Sequence, residues 1–336
     1  MHTYYTDKLE SLKDIFGTEK VQILPNKLVV DTDTYPIIDD VIILMVPSQY
    51  PKSISEKLKL SPEKEKPYIS GFAEEIQFTF GDEWQTFPDI LPEHYREFLL
   101  YFDLVNLNEL KNKRVCDLGC GIGRWSYYLK DKCRELVLLD FSEAIFVARR
   151  NLKDCNNSIF FMGDIRRLPF KSNFADFLFC IGVLHHLPTN ALNEVRNLKK
   201  FSKKFLIYLY YSLDNRPYFF HLLLFLATII RKTVSKNRNS TFRSLFTLFG
   251  ALFIYLPFIG LGNALKPFGL SRHVPLHEAY SGKSLHRIRQ DVFDRFFTGI
   301  EQRVSRKKIL GLKDTFDEII ISENSPYWHF LCEVKQ

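Results

Sequence analysis

RVCDLGCGIGRWSYY, residues 114–128, is the stretch from which the rest of the chain is read. A short apolar run, Val115, Cys116 and Leu118, meets a turn rich in glycine (Gly119, Gly121, Gly123) that opens into a helix-like segment, and Asp117 stands where strand becomes turn. Glycine is required where the backbone bends sharply or lets a ligand approach closely, since a side chain would fill that space. The pattern is a nucleotide-type cradle. Its weight comes from the strand before it, the helix after it and the partners that follow at α/β spacing.

Those partners come in order. Arg114 to Leu118, Glu135 to Leu139, Ser158 to Met162, Phe174 to Cys180 and Phe205 to Tyr210 read as strands. Helical segments intervene: Trp125 to Lys130, one capped by Ser142 and running to Asn151, and one starting at Pro188. Strict alternation implies a parallel sheet with helices on both faces and a ligand at the carboxyl ends of its strands. Three successive strand ends carry an acid, Asp117, Asp140 and Asp164. A dinucleotide loop needs a third glycine where this chain has Arg124 or Ser126, and no P-loop Lys-Ser pair follows, so phosphate binding is disfavoured.

DLGCGIG resembles the first motif of the class I S-adenosylmethionine-dependent methyltransferases, and the resemblance continues through LVLLDFSEAI, FMGDIRRLPF and FADFLFCIGVLHHLP, from about Arg114 to Tyr211. It implies a Rossmann-like seven-stranded sheet and S-adenosyl-L-methionine as cofactor. By the same resemblance Gly119, Cys120, Gly121 and Gly123 form the loop against the methionine and ribose, with Asp117 orienting it. Asp140 is implied to accept from the ribose hydroxyls and Phe141 to lie on the adenine. Asp164 and the Ile165 N–H are implied to read the adenine edge, and Cys180 and Ile181 to face the sulfonium. His185 and His186 follow the fourth strand, and either is a candidate base because histidine titrates near neutrality; the alternative is that this turn only holds a loop. No NPPY-type tetrapeptide stands here, which argues against amino-methylation of adenine or amides.

Trp84, in a span dense with aromatics (Phe72, Phe78, Phe80, Phe87), is a pocket candidate, as are Tyr210, Tyr211 and Arg287. That span is expected to be a lid ahead of a helix over residues 91–110. Residues 214–280 read as a helical apolar insertion. FFHLLLFLATII, a basic link (Arg231, Lys232, Lys236, Arg238, Arg243) and the uncharged run Ser244 to Leu265 make it up. Gly250, Pro257, Gly260 and Gly262 interrupt that run, and a single pass would split one catalytic domain across the bilayer, so no transmembrane helix is expected. The insertion is read either as a cap over the site, which is favoured, or as an interfacial hairpin making peripheral membrane contact through residues 217–265. Pro275 between His273 and His277 weakens a metal reading, and no metal is assigned. The tail is expected to supply the last two strands as an antiparallel hairpin.

Residues 1–66 read as a small β-rich appendage ahead of a domain spanning 67–336, with the charged SPEKEKP as linker. YPIIDDVIILMVP is similar to the end of a zinc-ribbon-like domain of methyltransferase activator subunits, but no cysteine precedes Cys116 to hold zinc. At 336 residues and 46% hydrophobic content the chain can bury a full core. The net charge of +7 permits contact with nucleic acid or anionic lipid, though it is also that of an ordinary surface, and nucleic acid is not the expected partner. Six cysteines without a CxxC pair, and no signal-like start, point to the cytoplasm, with peripheral membrane contact open. The expected activity is methyl transfer to oxygen or carbon of a small or lipid-like acceptor. The alternatives are an RNA or protein methyltransferase and a catalytically inactive cofactor-binding subunit.

Overall fold

The computed structural model describes residues 4–60 and 74–334. Phe72, the SPEKEKP linker and the boundary at residues 66 and 67 lie outside the described residues. Among the described residues, eleven strands form one sheet, in the order β1-β2-β3-β4-β7-β6-β5-β8-β9-β11-β10. They are β1 (Val21–Leu24), β2 (Lys27–Val30), β3 (Asp33–Ile38), β4 (Val41–Ile43), β5 (Arg114–Leu118), β6 (Glu135–Asp140), β7 (Ser158–Met162), β8 (Phe177–Ile181), β9 (Lys204–Tyr208), β10 (Glu318–Ile321) and β11 (Phe330–Glu333).

The seven strands from β5 to β11 are contiguous in the sheet, five parallel and closed by the antiparallel pair β11 and β10. The strand count of seven needs correcting, because the N-terminal strands join the same sheet. β1 to β4 form an antiparallel meander, and β4 then pairs in parallel with β7 through Ile42 with Phe161 and Ile43 with Met162. Asp39 and Asp40, at φ 47° and 62°, make the two-residue turn that this tight hairpin needs. The phenol of Tyr5 donates to the carbonyl of Asp40 at 2.6 Å, pinning that turn over β7.

Every residue of β5, β6, β7 and β8 is buried, as expected of parallel strands covered on both faces. Alternate residues serve opposite layers. Cys116, Leu118, Val137, Leu139, Phe161 and Cys180 face one cluster, and Val115, Leu136, Leu138, Phe160, Phe179 and Ile181 the other. All six cysteines are buried and unpaired, and they pack as small hydrophobes.

The helices in chain order are α1 (Leu9–Phe16), α2 (Lys52–Lys57), α3 (Glu74–Thr86), α4 (Glu93–Tyr101), α5 (Arg124–Leu129), α6 (Ala144–Asn151) and α7 (Ala191–Asn197). Two local expectations change. The aromatic span before α4 is itself the helix α3, and α7 starts after Asn190, whose side chain accepts from the N–H groups of Leu192 and Asn193, rather than at Pro188.

Between β9 and β10 lie α8 (Tyr218–Val234), α9 (Ser240–Gly250), α10 (Leu256–Leu265), α11 (His277–Tyr280), α12 (Leu285–Phe297) and α13 (Arg306–Leu310). α9 continues through a π-turn, Ala251–Tyr255, into α10, so that Ser240–Phe268 is one apolar helix of 29 residues. Its buried stripe, Arg243, Thr247, Gly250, Ala251, Tyr255, Ile259 and Gly262, recurs every three or four residues. That stripe packs on α12 and α11: a Cβ on Gly250 would sit 3.0 Å from Val292, and one on Gly262 would collide with the His277 ring at 2.2 Å. Length alone would let this helix cross a bilayer, but one face is committed to protein.

Candidate active site

A cavity of about 770 Å³ opens at the carboxyl ends of β5 to β9 and is walled by α3, α4, α8, α11 and α12. Its floor is the glycine loop. The N–H groups of Gly119 and Cys120 donate to the carbonyl of Leu139 at 2.7 and 3.0 Å, and that of Gly121 donates to Asp140 Oδ2 at 2.9 Å. Gly119 has φ 78°, and a Cβ there would lie 2.3 Å from Val183, so two independent constraints demand glycine. At Gly121, with φ 54°, a Cβ would meet the Trp84 indole at 3.2 Å. Gly123 is the N-cap of α5, packed against Leu152 and Ala148, and lies away from the cavity.

The strand-end acids have distinct surroundings. Asp117 is sealed beneath the loop, accepts from Ser126 Oγ at 2.7 Å, and does not line the cavity. Burial pushes its carboxyl up to about 8, against the opposing pull of that hydrogen bond. Asp140 does line the cavity; Oδ1 accepts from the Ser142 N–H and hydroxyl at 2.8 and 2.7 Å. Burial raises this carboxyl too, while those donors and Gly121 restrain the rise. Asp164 lines the cavity with Ile165, but Arg166 grips it through Nε at 3.0 Å and Nη2 at 2.6 Å. Phe141 and Ile181 line the cavity, whereas the side chain of Cys180 points into the core because strand alternation turns it away.

The histidines separate in the same way. His185 is fully buried, stacked on the Tyr210 ring at 4.0 Å, and outside the cavity lining. Burial, with His186 and Arg303 nearby, holds it well below the usual imidazole range. It packs as a neutral ring and is not placed to act as a base. His186 lines the cavity; Nδ1 lies 2.7 Å from the carbonyl of Ile300, which assigns the proton to Nδ1 and leaves a lone pair on Nε2. Nε2 has no hydrogen-bond partner and stands 3.7 Å from Asp294 Oδ1, and the Tyr210 phenol donates to Asp294 Oδ2.

Of the other pocket candidates, Trp84 and Tyr211 line the cavity, the phenol of Tyr211 accepting from Arg216 Nε at 3.4 Å. Arg287 also lines it, but pairs with Glu97 at 3.1 Å and closely with Asp291, so its charge is already matched. Arg289 donates to Ser244 and faces away. The cavity cations without an ion pair among the described residues are Arg124, whose guanidinium lies 4.5 Å from the Trp125 ring, and Arg295; Arg124 Nη1 and Arg295 Nε are buried without partners. Glu83, on α3, is buried in the same wall with Oε2 unpartnered, and burial, with Asp294 next, raises its carboxyl well above the ordinary range.

Asp294, Arg295, Glu83 and Arg124 escaped the sequence reading. Arg287, Asp291, Asp294 and Arg295 stand at offsets of four, three and one in a helix whose buried residues include Ile288, Val292 and Phe296, so the charged face was there to be read from helical spacing. Glu83 carried no such signal. Among the described residues no cluster of three metal-ligating side chains occurs, and His277 Nε2 lies 3.0 Å from Asn263 Oδ1.

Residues 115–202 match the family model described as a methyltransferase domain, and with the strand order above they form a domain of that Rossmann-like fold. An uncharacterized protein of Methanocaldococcus jannaschii is 31% identical over 142 residues, 38% of this chain and 58% of that protein. A tRNA U34 carboxymethyltransferase of Campylobacter hominis is 26% identical over 138 residues, 39% of this chain and 44% of the relative. The chain thus spans about half the length of these relatives. Among solved structures, a phosphoethanolamine N-methyltransferase of Haemonchus contortus, in complex with phosphoethanolamine and S-adenosylhomocysteine, aligns at a TM-score of 0.38 with 19% identity. That alignment covers 45% of this chain and 35% of that structure.

Proposed function

We propose that the chain is an S-adenosylmethionine-dependent methyltransferase whose acceptor is a small, lipid-like molecule, methylated on oxygen or carbon. The observation that carries this is that one cavity joins the glycine loop and Asp140 to an apolar wall supplied by Phe220, Leu223, Leu224, Ala227 and Ile230 of α8.

The residues present fit the cofactor. Oδ1 of Asp140 is filled by the two Ser142 donors, but Oδ2 takes only the Gly121 N–H among the hydrogen bonds described and keeps a lone pair, which suits a ribose hydroxyl. Gly119 to Gly121 line the cavity floor, and Phe141, Asp164 and Ile165 line its adenine end, with Arg166 sharing the carboxylate. The buried, unpaired Nη1 of Arg124 is available for the cofactor's carboxylate. Bound there, S-adenosylmethionine supplies a methyl group already activated on a sulfonium. The protein's own work is to hold the acceptor in line, exclude water and take a proton. His186 Nε2 takes that proton, and Asp294, itself held by the Tyr210 phenol, steadies the ring that results. The Arg295 guanidinium, with no carboxylate paired to it among the described residues, suits an oxygen-rich or anionic head on the acceptor.

The relative named as a tRNA carboxymethyltransferase favours a second reading, an RNA acceptor. One experiment separates them. The protein is incubated with methyl-labelled S-adenosylmethionine and with lipid and RNA fractions of a cell extract. Label in the organic phase supports the lipid-like acceptor; label in RNA, with binding that falls steeply with salt, replaces it.

A further inference from the structure

The insertion has two faces, and only one of them is explained by the protein. α8 and the α9–α10 helix pack on α12 around Ala251, Tyr255, Ile259, Ile288, Val292 and Phe296. Their outer faces meet nothing among the described residues. Leu222 and Phe225 on α8 are 59% and 61% exposed, and Leu245, Phe249 and Phe253 on the longer helix are 62%, 58% and 64% exposed. Large apolar side chains repeated along two helices that both pack on α12 make an exposed apolar surface that a protein in water alone does not retain.

The charge around that face is one-sided. Residues 215–277 contain eight lysines and arginines and not one aspartate or glutamate, in a chain whose acids otherwise nearly balance its bases. Arg231 and Arg243 are spent internally on Glu301 and Asp82. Lys232, Lys236 and Arg238 at one end of the hairpin, and Lys266 and Arg272 at the other, are exposed and make no ion pair among the described residues. An apolar face rimmed by free cations, with no acid to repel an anionic surface, matches a bilayer carrying anionic headgroups. A protein partner of ordinary composition has no need of that one-sided rim.

The cavity opens on the same face. Leu223, Leu226 and Ile230 of α8 and Ile254 of the π-turn line it while remaining 38%, 47%, 43% and 38% exposed. We propose that the outer face of α8 and α9–α10 docks on an anionic lipid bilayer, so that the cavity mouth meets the acyl region and the acceptor enters from the membrane. The docking surface stands on the exposed face and its charge; the route of the acceptor rests on the methyltransferase reading.

Flotation of the whole chain with vesicles tests this. Phosphatidylcholine vesicles containing phosphatidylglycerol should carry the protein upward, and phosphatidylcholine alone should do so weakly. Replacing Lys232, Lys236 and Arg238 with alanine should lower partitioning into the anionic vesicles by roughly a hundredfold. A variant carrying Leu222→Glu, Phe225→Glu and Phe253→Glu, none of which lines the cavity, should remain at the bottom while binding S-adenosylmethionine as the parent does. A parent protein that stays at the bottom with anionic vesicles, or a triple-glutamate variant that still floats, overturns the proposal. So does a dimer in solution that those glutamates dissolve, because the face would then belong to a second copy. If the parent floats yet binds no S-adenosylmethionine, the docking surface stands and the methyltransferase reading fails.

Discussion

Asp117 and Asp140 are two carboxylates one strand apart, and their surroundings give them different work. Asp117 has one donor, Ser126, and no access to the cavity, and burial carries it up to about 8. Between its ordinary value of 3.8 and about 8, the folded protein keeps a proton that the unfolded chain releases, so stability falls as pH rises through that window. Asp117→Asn should flatten this slope, which thermal or urea unfolding across the window will show. At the other end of the cavity, His186→Gln should lower turnover by roughly 100-fold or more while leaving cofactor affinity unchanged, and single-turnover rates beside calorimetry check the split. The three strand-end acids were readable from sequence because each follows an apolar run. That Arg166 would occupy Asp164, and that only one of two adjacent histidines would reach the cavity, depends on side-chain direction within a 3-10 turn and was not readable.

At the scale of the element, α12 holds the insertion to the catalytic domain. Its apolar residues pack against α8 and α9, while Arg287, Gln290, Asp291, Asp294 and Arg295 face the cavity, where Arg287 is shared by Glu97 of α4 and Asp291. Burial alone would raise Glu97, but Arg287 and Lys283 together hold it well below the usual carboxylate range. Glu97→Gln leaves a buried guanidinium short of one partner and should destabilise the protein by about 3 kcal/mol, measurable by denaturant unfolding. Of these residues the sequence reading singled out only Arg287, as a pocket candidate. Their pairing with Glu97 spans 190 residues, and no local pattern reports a contact at that distance. The helices α8 and α9–α10, by contrast, were evident from apolar runs alone, since length and composition specify such helices without tertiary help.

For the molecule as a whole, the meander at its N-terminus and the hairpin at its C-terminus extend one sheet from both edges, and the insertion closes over the strand ends between them. The alternation of strand and helix made the central strands legible. The junction of β4 with β7 was not legible, because a β-rich run bounded by turns looks the same whether it stands apart or pairs with an existing edge. The central claim is that the cradle begun at Gly119 is a cofactor site whose key acid is Asp140. Titration calorimetry with S-adenosylmethionine on the whole chain and on Asp140→Ala tests it most directly. The account predicts saturable binding by the parent and an affinity at least roughly tenfold lower in the variant, the loss of charge-assisted hydrogen bonds worth about 1.5–3 kcal/mol. No binding by the parent, or equal affinities in the two proteins, would contradict it.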